Sequence, residues 1–209
     1  MERNKRVVLG ISLVCFALIT ALMRFVKGMN VLWLRIAAAA GINLLNAGVA
    51  LLAMKLTGMR VRVDFRNKRQ YLIGVAIALC LSMVIAVIPA LCGFSLVGDH
   101  RDFSWFTLIY SFLNYMLIIG PVEELIFRVY LQDTLSDFLG KRMGVVLAAF
   151  LFGLWHLING FFMQMVFTFG IGLVFGFARS KVRDCSYLSV ALGHGLYDFL
   201  NVIVTMFIL

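Results

Sequence analysis

The chain is poor in charge. Only 14% of its 209 residues are Asp, Glu, Lys or Arg, against 63% hydrophobic. That balance excludes an ordinary water-soluble domain. Its four cysteines, Cys15, Cys80, Cys92 and Cys185, form no CxxC, which removes the common zinc and thiol-redox frameworks. The first three lie within or at the ends of apolar runs and read as small buried hydrophobes. HExxH is absent, so the helical zinc-protease signature is missing. Ser111, Ser189 and Cys185 stand outside any nucleophile elbow or triad context, which removes the serine and cysteine hydrolase motifs. No internal repeat, low-complexity tract or second domain interrupts the chain.

What is present is a series of apolar runs long enough to cross a bilayer. They predict an all-α, polytopic membrane helix bundle of seven to eight helices, a single domain over residues 1–209 with a catalytic core near 105–205. The expected spans are Val7–Val26, Val31–Met54, Tyr71–Cys92, Trp105–Gly120, Met143–Leu157, Phe161–Ala178 and Tyr187–Leu209. The first run is too long for a signal peptide and lacks a small-residue cleavage site, so it is expected to be retained. The stretch after Arg128 is amphipathic and is expected to lie in the interface, closed by Gly140. The fifth span is expected to turn at Asn159-Gly160. The net charge of +9 sits between spans. It clusters at Arg3–Arg6, Lys55–Arg69, Lys141-Arg142 and Arg179–Arg183, which favours a cytoplasmic N-terminus and a role in topology rather than nucleic-acid binding. A multi-pass protein of a prokaryotic plasma membrane is the expected setting.

Few ionisable groups lie inside apolar sequence. They are Glu123, Glu124, Arg128, His156, His194 and Asp198, with Arg35 as an outlier read as structural or snorkelling. Such groups in a membrane span are costly and usually mark function. Glu124 and Arg128 are four residues apart, so on a helix they share a face and pair. Glu123 points about 100° away. Phe152 stands one turn before His156. His194, Tyr197, Asp198 and Asn201 line one helix face, which cannot point at lipid. The bland readings are a packed histidine, a solvated acidic end and helix–helix glue. Three segments that each bring acid–base groups argue for chemistry instead: a glutamate draws a proton from water, the water attacks an amide carbonyl, and imidazole or amide groups hold the oxyanion. Glu123, His156 and His194 are also acceptable zinc ligands, so a metal stays open, without ligand spacing to support it. A proton- or ion-coupled transporter is the alternative from another class; it calls for paired broken helices and internal symmetry, and neither is present.

Glu123-Glu124-x-x-x-Arg128, Phe152-x-x-x-His156 and His194-x-x-x-Asp198, in that order, resemble the three motifs of the CAAX-protease and bacteriocin-processing (Abi-type) intramembrane endopeptidases. The likeness covers roughly Pro121–Asn201; the first 120 residues match only as generic spans. The resemblance implies a membrane helix bundle with its site in the cytoplasmic half of the membrane and a peptide or protein substrate. It implies that Glu123 activates water with help from His156. His194 and the residue four later would stabilise the oxyanion, and Glu124 and Arg128 would orient the site. A catalytically idle relative serving in immunity or scaffolding is a further reading. Val129 stands where many members have Gly, and Asp198 where many have Asn. An ionised aspartate cannot donate a hydrogen bond. Either Asp198 is neutral, or it orients His194, or Asn201 takes the donor role. The substrate, a prenylated CAAX protein or a bacterial peptide precursor, and the oligomeric state are not written in the chain.

Overall fold

The computed structural model describes residues 2–157, 160 and 162–209. Among the described residues the regular structure is entirely helical, as expected of apolar chain that must satisfy its own backbone groups in lipid. Seven helices run in order: α1 Arg3–Lys27, α2 Leu32–Thr57, α3 Lys68–Leu91, α4 Trp105–Leu139, α5 Lys141–Leu157, α6 Phe162–Lys181 and α7 Tyr187–Phe207. Six of them are long and apolar enough to cross a membrane. The seventh, α5, has 17 residues, about 25 Å of helix. Of the expected turn between α5 and α6, Asn159 lies outside the described residues, as does Phe161 at the expected start of the sixth span.

The chain divides into two compact units, residues 1–62 with 122–182, and residues 63–121 with 183–209. In the first unit, α1, α2, the C-terminal part of α4, α5 and α6 pack together. Ser12 of α1 hydrogen-bonds the Tyr130 hydroxyl of α4 at 2.7 Å, Phe16 meets the Tyr130 ring edge-on, and Lys5 pairs with Asp137 at 2.7 Å. Asn46 of α2 donates to Thr20 of α1 at 3.3 Å. The tight turn from α4 to α5 is made by Gly140, whose φ of +83° few other residues adopt. One turn on, Gly144 lies so close to Ser136 that a Cβ would stand 2.7 Å from its backbone nitrogen. Gly153 approaches the Met165 carbonyl of α6 in the same way. These are the small-residue contacts by which apolar helices gain van der Waals packing in lipid.

The second unit holds α3, the N-terminal part of α4 and α7. Ser104 and Ser186 cap α4 and α7, the latter reciprocally with Ser189. Backbones approach closely here as well: a Cβ at Gly120 would stand 2.7 Å from the Ala191 carbonyl, and one at Gly195 only 2.5 Å from that of Tyr115.

One expectation is corrected. The stretch after Arg128 is no separate helix; it continues α4, which runs for 35 residues. Arg128–Leu131 are buried because this stretch packs inside the first unit. The correction matters for depth. Read as a span ending at Gly120, the sequence leaves Glu123 near the surface and His156 about 20 Å deeper. With α4 continuous to Leu139, Glu123 lies 17 residues before Gly140 and His156 lies 16 after it. That is about 24 Å of helix on each arm of one hairpin.

Helix α4 is also not a uniform α-helix. Tyr115–Ile119 and Leu125–Leu131 are wide π-helical turns, and Met83–Val87 of α3 is a third. Both prolines of the chain, Pro89 and Pro121, follow such a turn by two residues. A proline ring clashes with the carbonyl four residues back and supplies no N–H. A turn widened there relieves the clash and keeps the helix going. The Pro121 carbonyl accepts the Tyr187 hydroxyl at 2.9 Å.

Because the Gly120 and Gly195 approaches are to backbone atoms, Gly195→Ala is expected to cost about 1–3 kcal/mol by overpacking. A lowered thermal midpoint in detergent checks this; an unchanged midpoint refutes the close approach.

Candidate active site

Four of the six polar residues singled out in the sequence meet within the first unit. Glu124 and Arg128 are fully buried and Glu123 is 5% exposed. Arg128 Nε lies 3.2 Å from Glu124 Oε2, so the four-residue spacing does produce a pair. Its angles are not those of a hydrogen bond, and Nε, Nη1 and Nη2 find no geometric hydrogen-bond partner among the described residues. The guanidinium is held instead by charge and by an aromatic face, its carbon 4.8 Å from the Phe152 ring centroid.

Phe152 is the hub of this region. Phe127 meets it edge-on at 5.0 Å, and the His156 ring does so at 4.6 Å. Trp155 closes on Phe127 at 5.4 Å. The phenylalanine one turn before the histidine therefore positions the imidazole and covers the arginine together.

His156 Nε2 stands 4.0 Å from Glu123 Oε2. The other ring nitrogen, Nδ1, is 3.0 Å from the Phe152 carbonyl. A carbonyl only accepts, so Nδ1 carries the proton in that contact. In the neutral ring Nε2 then turns a lone pair toward the carboxylate. Two acceptors facing across 4.0 Å make a place for a group that donates to both, such as a water molecule. The His156 side chain keeps 21% of its surface exposed, which leaves the pair a path for one. Two ligands of a tetrahedral zinc ion at about 2.0–2.2 Å each would stand roughly 3.4 Å apart, closer than this pair. No third His, Cys, Asp or Glu joins them as a ligand set among the described residues of this unit.

His194 and Asp198 belong to the second unit. Both lie on α7, with His194 Nε2 3.4 Å from Asp198 Oδ2. Of the three roles left open for Asp198, this contact fits the one in which it orients His194.

Beside the aromatic cluster lies a cavity of about 490 Å³ in the first unit, lined by Leu13, Phe16, Phe127, Leu154 and Trp155, with Arg24 as a charged member of its wall. Sequence reading did not pick out Phe127, Trp155 or this cavity. An aromatic in an apolar run gives no sign of which neighbour it will meet. It also passed over Asp133 and Arg179. They form a bidentate ion pair with both contacts at 2.7 Å, but Arg179 reads from sequence as one more topological charge.

Residues 104–200 match the sequence model of the Rce1-like family, described as type II CAAX prenyl endopeptidase Rce1-like. The matched stretch takes in Glu123, Glu124, Arg128, His156, His194 and Asp198, and it is the family to which the three motifs pointed. Neither the curated proteins nor the solved structures yield a match to the chain.

Removing one partner of a buried ion pair costs about 3–5 kcal/mol, because the other charge is stranded. Glu124→Gln is expected to lower the unfolding midpoint in detergent accordingly, and Glu124→Gln with Arg128→Met to recover most of it. Equal loss in both variants would contradict the pairing.

Proposed function

From its Rce1-like core, residues 104–200, we propose that this multi-pass membrane protein is an intramembrane endopeptidase that cleaves a peptide bond by glutamate-activated water. The observation that carries this reading is the facing of Glu123 and His156 across 4.0 Å in a buried setting. Water held there gives a proton to Glu123, and its oxygen forms a bond to the scissile carbonyl carbon. The carbonyl π electrons move onto oxygen. On collapse the C–N bond breaks, and the leaving nitrogen takes the proton back from Glu123. His156, its Nδ1–H anchored on the Phe152 carbonyl, orients the water through Nε2. Glu124 and Arg128 neutralise each other beside it, so one carboxylate is fixed and the other serves as base.

The substrate is a membrane-associated peptide or protein whose apolar part enters the 490 Å³ cavity. By the positive-inside rule, the basic residues at Arg3–Arg6 and Lys141-Arg142 favour a cytoplasmic N-terminus and a cytoplasmic Gly140 turn.

Purified protein in proteoliposomes with a lipidated CAAX peptide tests the reaction. Glu123→Gln, nearly isosteric, is expected to abolish cleavage while folding and inserting normally; retained turnover would falsify the base assignment. In the same assay a zinc chelator is expected to leave turnover intact. Loss that zinc restores would instead make Glu123 and His156 metal ligands. Ala17 also lines the cavity, and filling it with Ala17→Trp is expected to raise KM for the lipidated peptide and leave kcat near the wild-type value. An unchanged KM would remove the cavity from the substrate path.

A further inference from the structure

Arg179, in the last turn of α6, carries a job the catalytic motifs do not contain. Its Nη1 and Nη2 grip Asp133 Oδ1 and Oδ2, both at 2.7 Å, in the bidentate geometry that only a guanidinium provides. The same Nη1 donates to the backbone carbonyl of Arg128 at 2.6 Å. That carbonyl has a specific need. In an α-helix it would receive the N–H of Gln132, four residues on. Within the wide turn Leu125–Leu131, the Gln132 N–H goes instead to the Phe127 carbonyl. Wide turns of this kind recur at functional sites, and this one begins at the residue after Glu124.

We infer that Arg179, aimed by Asp133, replaces the backbone donor that the wide turn diverts from the Arg128 carbonyl, and so locks the turn that orients Glu123, Glu124 and Arg128. Arg179 and Asp133 are positioning residues. They touch no reacting atom and act through the backbone under Arg128. For catalysis this rests on the endopeptidase reading; for the turn itself it does not.

Lysine keeps the charge but cannot grip both carboxylate oxygens and the carbonyl together. Arg179→Lys is therefore expected to fold with a near-wild-type thermal midpoint and an unchanged KM, while kcat falls about a hundredfold, the scale of a misplaced reacting group. Asp133→Asn should act in the same direction. The double variant should be no worse than Arg179→Lys alone, since both remove one contact. A second readout needs no turnover. Labelling with 13C′-arginine and 15N-valine leaves Arg128-Val129 as one of four Arg-Val peptide signals. Its carbonyl shift should move upfield in Arg179→Lys as the hydrogen bond is lost.

Full activity in Arg179→Lys with an unmoved carbonyl signal overturns the inference. So does a fall in thermal midpoint with kcat unchanged in the folded fraction, which would make the pair merely structural. Were Glu123→Gln inactive and Arg179→Lys fully active, the endopeptidase reading would stand and the positioning role would fail. Were the wild type itself unable to cleave, the carbonyl shift would decide: movement supports the lock on the turn, and no movement overturns it.

Discussion

A buried arginine beside a buried carboxylate is the constraint around which the first unit is arranged. Charges taken out of water must be paired, or the chain does not keep them inside. Here Glu124 and Arg128 pair at 3.2 Å with neither exposed. The pair is completed by an aromatic ring rather than by a full set of hydrogen bonds, because Phe152 covers the guanidinium. That ring also carries His156 one turn later. Satisfying the arginine therefore fixes the histidine, and fixing the histidine sets the gap to Glu123.

The geometry of α4 makes this possible. A straight α-helix containing Pro121 would kink or end there. Wide turns on both sides of Gly120–Glu124 absorb the defect and carry the helix on to Leu139. The widened backbone then has displaced carbonyls to satisfy. Arg179 serves the one at Arg128, and Tyr187 donates to the carbonyl of Pro121 itself. Each irregularity of the helix is matched by a side chain from elsewhere in its own unit. The stretch with the two carboxylates is consequently held from its neighbours rather than by its own ladder.

The Rce1-like match and the geometry bear on different links of the argument. The match covers residues 104–200 and speaks to the kind of chemistry. The geometry speaks to how particular atoms could perform it. The 4.0 Å gap, the anchored Nδ1 and the exposed fifth of His156 are the features on which the proposed water-activating role rests.

Much of this protein was legible in its residues alone. The helical class followed from composition, because apolar chain in lipid has few ways to satisfy its backbone. The Glu124–Arg128 pair followed from a four-residue spacing, and the shared face of Phe152 and His156 from the same periodicity. The polar face of α7, with His194 and Asp198 four residues apart, was readable for that reason too. Local periodicity determines which side chains share a face. It does not determine where a helix stops or what it meets. The amphipathic look of Gln132–Leu139 suggested an interface, whereas tertiary packing drew that stretch into one long helix and brought Glu123 level with His156 across the Gly140 turn. The Asp133–Arg179 grip and the cavity wall of Phe127 and Trp155 join residues from different helices. Contacts between residues distant along the chain depend on how close two backbones come. Only the folded packing sets that distance.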